Sequence, residues 1–186
     1  MHIIIESRRK KLDSIQKARP ETLIIDMTSK GPEPWVRFSP LYPHGGIPIP
    51  NTPDQTAWSV EGLWQGLKVF EREDIDPRKW LITDMSHIKR GGKRRGAILG
   101  HRFGVNSSIL LDYRQARLLI YLPAYKWVLE HRLQPEVALL RRLATAQPLV
   151  LLDYQTNTNV NDTSRPLSHA ALIRYYLQDS WPTDDT

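Results

Sequence analysis

Both the fold and the chemistry of this chain turn on Ser59-Val60-Glu61-Gly62-Leu63-Trp64-Gln65-Gly66-Leu67-Lys68-Val69-Phe70. Its apolar residues recur at helical spacing, and Ser59 is suited to cap the first turn. The spacing predicts a helix over 59–70. Glu61, Gln65 and Lys68 fall at i, i+4 and i+7, which at ~100° per residue puts them on one face. Leu63, Leu67, Val69 and Phe70 occupy the other faces. A stripe of acid, amide and amine has two readings. It is a solvated face with a weak Glu–Lys pair, or it is catalytic: the carboxyl protonates a leaving base or orients a water, the amide holds a ribose hydroxyl, and the ammonium holds a phosphate.

Directly upstream, residues 30–56 carry Gly31, Pro32, Pro34, Pro40, Pro43, Gly45, Gly46, Pro48, Pro50 and Pro53. That density forbids long regular elements and implies an ordered loop or short strands. A loop of this length inside a domain is functional or disordered. Trp35, Phe38 and Tyr42 argue against disorder and offer walls for a pocket at the start of the 59–70 helix. Further upstream, 6–18 reads as a short polar helix ended by Pro20, and Leu23–Asp26 as a buried strand. Downstream, a helix is expected over 77–87 with Pro77 in its first turn. The basic, glycine-containing 89–96 is a loop, and 112–131 and 135–146 are helices. Leu149–Leu152 is a strand, the polar run from Gln155 to Pro166 a loop, and 168–178 a helix capped by Ser168. The result is an α+β chain: a single, mainly helical domain with a few short strands. It is organised as an N-terminal basic helix (1–20), a main domain (21–178) and a flexible tail (179–186).

Composition narrows the function. The 186 residues include no cysteine, which excludes disulfides, thiolate metal sites and a cysteine nucleophile. His44, His87, His101, His131 and His169 show no metal-ligand spacing, so neither metal nor cofactor is expected. No run approaches the ~18 apolar residues of a membrane span. Met1–Leu12 lacks the apolar core and cleavage site of a secretory leader. A cytoplasmic protein that does not enter the membrane is expected. The net charge of +6 attracts polyanions or merely keeps the chain soluble. Basic residues gather in Ser7–Lys11 and at Lys89, Arg90, Lys93, Arg94 and Arg95. The acidic ones gather at Glu71–Asp76 and at Asp184 and Asp185. The second basic cluster is a solvated loop or a clamp on nucleic-acid phosphates.

These motifs, taken in order, resemble the NADAR family, small domains associated with NAD and ADP-ribose metabolism, some of which are N-glycosidases. That family opens with aromatic-x-x-FSNF-x-P, echoed here by Trp35-Val36-Arg37-Phe38-Ser39-Pro40. It continues with S-E-H-x-x-Q-A-x-K-F, against which Ser59, Glu61, Gln65, Lys68 and Phe70 stand in Ser59–Phe70. Ala97-Ile98-Leu99-Gly100-His101 resembles its A-x-x-LG element. Asp112-Tyr113-Arg114, leading to Lys126-Trp127, resembles its D-W-x-x-x-R helix. Leu140–Thr145, Leu149–Asp153 and Leu167–Arg174 match its later elements loosely. The likeness spans about residues 35–174. Gly62 replaces the family's His and Asp153 its Glu, and the family's D-x-x-W-G element is replaced by Asn157–Asp162.

The resemblance implies an N-glycosidase that hydrolyses a ribosyl N-glycosidic bond, with Glu61 as acid/base and Asp153 as second carboxylate. Taken alone, Asp153 is as readily a turn former. As a partner carboxylate it would steady an oxocarbenium-like centre. Trp35, Phe38, Trp58 and Trp64 are core or base-stacking residues. Ser39, Gln65, Lys68, Arg114 and Lys126 are the remaining substrate-binding candidates. Arg114 and Arg117 equally suit a salt bridge with Asp112, and Lys126 equally suits a snorkelling position. The expected partner is nucleic acid, chiefly DNA, with removal of a modified base or of ADP-ribose from guanine. The alternatives are a small phosphoribosylated nucleotide of the riboflavin pathway, or a nucleic-acid-binding module without catalysis.

Overall fold

The apolar run after Pro148 forms a strand, Leu149–Asp153, in which every residue is buried. A continuous apolar run suits a strand covered on both faces. In the computed structural model, which describes residues 1–183, it lies between Ile3–Ser7 (β1) and Leu23–Asp26 (β2) and runs parallel to both. Leu149 stands opposite Ile3 on one side and Leu23 on the other. In chain order this central strand is β8. The helix Leu12–Ala18 (α1) sets Ile15 against Val150 and Leu152, with Ile4 and Ile24 alongside. Met1–Ser39 joins the stretch from Leu133 onward in one compact unit. Its remaining helices are Gln134–Ala146 (α5) and His169–Leu177 (α6), and the Ser168 hydroxyl caps α6 by accepting from the Ala171 N–H.

Residues Pro40–Arg132 form a second compact unit. It opens with the short hairpin Ile47–Pro48 (β3) and Thr56–Ala57 (β4), followed by the helix Val60–Leu67 (α2). An antiparallel sheet follows, in the order Lys68–Phe70 (β5), Ile98–Arg102 (β6), Leu110–Leu111 (β7). Tyr113–Ala116 (α3) continues through a π-helical turn at Arg117–Tyr121 into Leu122–His131 (α4). Asp112 and Gln115 close a capping box at the start of α3.

The α+β class, the 23–26 and 149–152 strands and the Ser59 and Ser168 caps agree with the sequence reading. Three expectations are corrected. The helix over 6–18 begins only at Leu12, because the β-branched Ile3-Ile4-Ile5 pairs with β8 and draws Glu6 and Ser7 into the sheet. The basic N-terminal stretch 1–20 is therefore part of the first unit's sheet layer. The helix over 59–70 stops at Leu67, where Lys68 turns extended and pairs with His101. The helix over 77–87 is a single 3-10 turn, Pro77–Leu81. Past it, the Asp84 carboxylate accepts from the Ser86 N–H and hydroxyl, a local bond that competes with helix. In the 179–186 tail, Asp179 pairs with Arg141 and Trp181 packs edge-on against Tyr176. Asp184 and Asp185 lie outside the described residues.

Gly62 and Gly66 explain how α2 is seated. A Cβ on Gly62 would lie 2.6 Å from the Lys79 carbonyl oxygen, and one on Gly66 would lie 1.9 Å from the Trp80 indole nitrogen. The two glycines, one turn apart, let the 3-10 turn approach the helix backbone closely. Gly66→Ala must push the buried Trp80 aside, at ~1–3 kcal/mol. A fall in melting temperature of ~2–12 °C is the expected result. An unchanged melting curve would show that the packing is looser than these distances require.

Candidate active site

The polar face of α2 carries a chain of hydrogen bonds. The Ser59 hydroxyl accepts from the Gly62 N–H at 3.0 Å, and the Glu61 N–H donates to the Pro40 carbonyl at 2.8 Å. Both fix the first turn, on which Glu61 sits half-buried. The Gln65 amide nitrogen donates to Glu61 Oε1 at 2.9 Å. The Gln65 amide oxygen accepts from Lys68 Nζ and from the Arg90 N–H, each at 3.0 Å. Among the described residues Glu61 Oε2 accepts no hydrogen bond, so one oxygen is tethered and the other is not.

This arrangement changes two expected roles. Gln65 is buried with both ends of its amide engaged, so it orients Glu61 and holds no ribose hydroxyl. Lys68 is also buried, and its ammonium points to Gln65. Burial pushes the Lys68 pKa down, opposed by the Glu61 charge and reinforced by Arg90 and Lys89. It is a cation beneath the carboxylate, placed too deep to hold a phosphate at the surface.

Trp64 shares this face, three residues after Glu61, and is half-buried. The His101 ring lies 3.8 Å from the Trp64 ring, and Tyr113 and Tyr121 meet it edge-on at 5.8 and 5.7 Å. His101 is buried, and neither ring nitrogen has a hydrogen-bond partner among the described residues. Burial, aided by the Lys68 charge, lowers its pKa to about 3, so the ring is neutral. His101, Tyr113 and Tyr121 were missed as site residues from the sequence. The pairing of His101 with Lys68 required a strand hidden inside the apparent 59–70 helix.

The other candidates disperse. Trp58 is exposed and its ring packs against Gly45. Arg114 lies on α3, and Arg117 is buried with its guanidinium over Tyr113. Lys126 pairs with Glu130 on α4 at 3.8 Å. In the basic loop Arg90 is not available to a phosphate. It is buried, donating to the carbonyls of Gln65, Lys68 and Asp74 and to Glu73, with Phe70 beneath it. Arg95 is spent on Glu73 and the Gly91 carbonyl. Lys89, Lys93 and Arg94 are exposed, with no ion pair among the described residues. A separate hollow of about 570 Å³ lies in the β3–β4 hairpin, lined by residues from Pro48 to Thr56 and containing none of the stripe.

Trp35, Phe38, Ser39 and Asp153 belong to the first unit. Trp35–Phe38 is a 3-10 turn in which Trp35 stacks on a fully buried Phe38, followed by a buried Ser39. Phe38 is therefore core. Asp153, at the end of β8, is also buried and saturated. Its Oδ2 accepts from the Ser168 hydroxyl at 2.7 Å, from the Ala170 N–H at 3.4 Å and from His169 Nδ1 at 3.0 Å. His169 Nε2 lies 2.9 Å from the Met27 carbonyl. A ring with an acceptor at each nitrogen is an imidazolium. Burial opposes the charge on His169, but Asp153, then the Met27 carbonyl and Asp26, raise its pKa. Burial likewise opposes ionisation of Asp153, yet His169 and Ser168 bring it down to about 2. Asp153 and His169 form an internal ion pair joining β8, α6 and the end of β2.

Across residues 7–173 the chain matches, and belongs to, the family described as "Family of unknown function (DUF6939)". No curated protein and no solved structure matches it.

Proposed function

We propose that this member of a family of unknown function is an N-glycosidase that hydrolyses a ribosyl N-glycosidic bond, with Glu61 as its acid/base. The observation that carries the reading is Glu61 itself: a half-buried carboxylate tethered through one oxygen by Gln65, over a buried Lys68 and beside the half-buried Trp64. A group held this way can give a proton to a departing base or draw one from the attacking water without reorienting. The bond from C1′ to the base nitrogen breaks, water supplies the new C1′ oxygen, and its protons end on the sugar hydroxyl and the base. Lys68 lends positive charge beneath the site, and Trp64 offers a ring on which a base can stack. The ordered likeness to the NADAR family over about 35–174 supports the same chemistry and favours a cytoplasmic enzyme. Asp153 is not used in this reading, since it is buried, with Oδ2 committed to Ser168, His169 and Ala170 and Oδ1 accepting from the Gln155 N–H.

Nucleic acid is the favoured substrate, because Lys89, Lys93 and Arg94 stand exposed and unpaired in the unit that holds Glu61. The test is a screen for free base released from unmodified, damaged and ADP-ribosylated DNA, alongside free nucleotides including phosphoribosylated pyrimidines. Release from at least one strand substrate is expected. Release only from free nucleotides would move the substrate to the small-molecule class. No release from any of them would remove the enzymatic reading and leave a binding module.

A further inference from the structure

The segment from Arg90 to His101 leaves the Glu61 stripe and returns to it. At its start the Arg90 N–H donates to the Gln65 amide oxygen, and the Arg90 guanidinium holds the Gln65 and Lys68 carbonyls. At its end His101 stands opposite Lys68 in the β5–β6 pair, with its ring on Trp64. Between these roots the backbone is braced by the Arg95–Glu73 ion pair, by Arg72 N–H on the Arg95 carbonyl and by Glu71 N–H on the Ala97 carbonyl. The braced segment carries Lys93 and Arg94 in an exposed 3-10 turn, with Lys89 just before it. Ile98 and Leu99 follow at an irregularity in β6, where the register against β5 shifts and the two stand opposite Phe70. They are 57% and 52% exposed, so neither side chain is covered where β6 begins. Leu110, 40% exposed, leans over Gly100 on the neighbouring strand.

We propose that this segment is a nucleic-acid finger: Lys89, Lys93 and Arg94 grip phosphates flanking the target nucleotide, and Ile98 and Leu99 enter the stack to occupy the place of a base drawn toward Glu61. The proposal rests on the nucleic-acid form of the N-glycosidase reading. A rigid projection rooted at the acid/base stripe favours a polymer that engages both places at once. Unpaired cations complement its phosphates, and aliphatic wedges are a known means of unstacking a base step. A base must leave the duplex before a buried group can act on it. An anionic lipid surface also attracts cations beside aliphatic side chains, but it gives no reason for the roots of the finger to lie at Gln65, Lys68 and Trp64, beside Glu61 in the same stripe.

The test uses the full chain, a short labelled DNA duplex carrying 2-aminopurine, and phosphatidylserine vesicles. The wild type should bind the duplex and raise 2-aminopurine fluorescence, with affinity falling steeply as salt is added. The triple variant K89A/K93A/R94A should flatten the log–log salt slope by about 2–3, near 0.9 for each phosphate contact. The double variant I98S/L99S should lose the fluorescence rise and bind the duplex about tenfold more weakly, with the salt slope kept. All these side chains are exposed, so unchanged melting curves are expected and serve as the control for folding. Duplex binding that neither variant alters would overturn the proposal, as would vesicle binding in preference to DNA. If the duplex is bound and unstacked through the finger but no base is released from any substrate, the finger stands and the N-glycosidase reading fails.

Discussion

Glu61→Gln is expected to lower kcat by ~10²–10⁴-fold while leaving the fold intact, the usual share of a positioned acid/base group. The amide keeps the length and shape of the side chain and still accepts from Gln65 Nε2 through its carbonyl oxygen. The other end becomes an NH₂ group, which neither gives nor takes a proton at neutral pH. The first turn of α2 is held by Ser59 and by the backbone bond to Pro40, neither of which involves the carboxylate, so the melting curve should not move. KM should change far less than kcat, because the substitution removes an interaction made in the transition state. Activity within threefold of the wild type would mean that another group does the proton transfer. Gln65→Ala gives a graded comparison. It removes the tether but leaves the carboxyl, so kcat should fall by less than in Glu61→Gln, by an amount that reports the value of orientation alone.

Asp153→Asn is expected to act on stability. The carboxylate is the partner of a buried imidazolium and the acceptor for the cap of α6. Removing one member of a buried pair costs ~3–5 kcal/mol when the other stays charged. Here His169 can shed its proton, which places the cost near ~3 kcal/mol and the fall in melting temperature near ~6–12 °C. The pH dependence gives the sign. His169 has its pKa raised in the folded state, so its contribution is whole below its ordinary 6.5 and disappears as pH rises through the raised value. Asp153 has its pKa lowered, so its contribution is whole above the ordinary 3.8 and disappears as pH falls toward about 2. The melting gap between wild type and variant should therefore be widest between about pH 4 and 6.5 and should narrow on the alkaline side. A gap independent of pH would mean that the Ser168 and Ala170 hydrogen bonds, and not the ion pair, make up the contribution. A large loss of kcat with an unchanged melting curve would return Asp153 to a catalytic role.

The elements most legible in the sequence were those with strong local causes. Pro148 followed by the apolar run Leu149–Leu152 read as a strand, and Ser59 and Ser168 were recognisable caps because a hydroxyl before an apolar helical run has an orphan N–H to satisfy. Glu61 and Gln65 share a face of α2 as the spacing predicts; Lys68 lies past the helix end, yet hydrogen bonds still link all three in one chain. What stayed hidden depended on distant partners. Lys68-Val69-Phe70 fits a helical pattern, and only pairing with β6 makes it extended. Arg90 looked like one more cation of a basic loop, and nothing local showed that it is buried over Phe70 as the root of that loop. Nothing local to Gly62 and Gly66 showed that Lys79 and Trp80 lie against them. Asp153 looked like a free acid at a strand end, because the His169 that neutralises it comes sixteen residues later, across a loop.

Hydrolysis in ¹⁸O-labelled water, followed by mass spectrometry of both products, tests the central claim most directly. With a substrate found by the base-release screen, the wild-type protein should yield a free base without label and a ribosyl product carrying one ¹⁸O at C1′, and Glu61→Gln should yield neither above background. Label in a released phosphate, label in the base, or equal product from the Glu61→Gln protein would contradict N-glycosidic hydrolysis at Glu61.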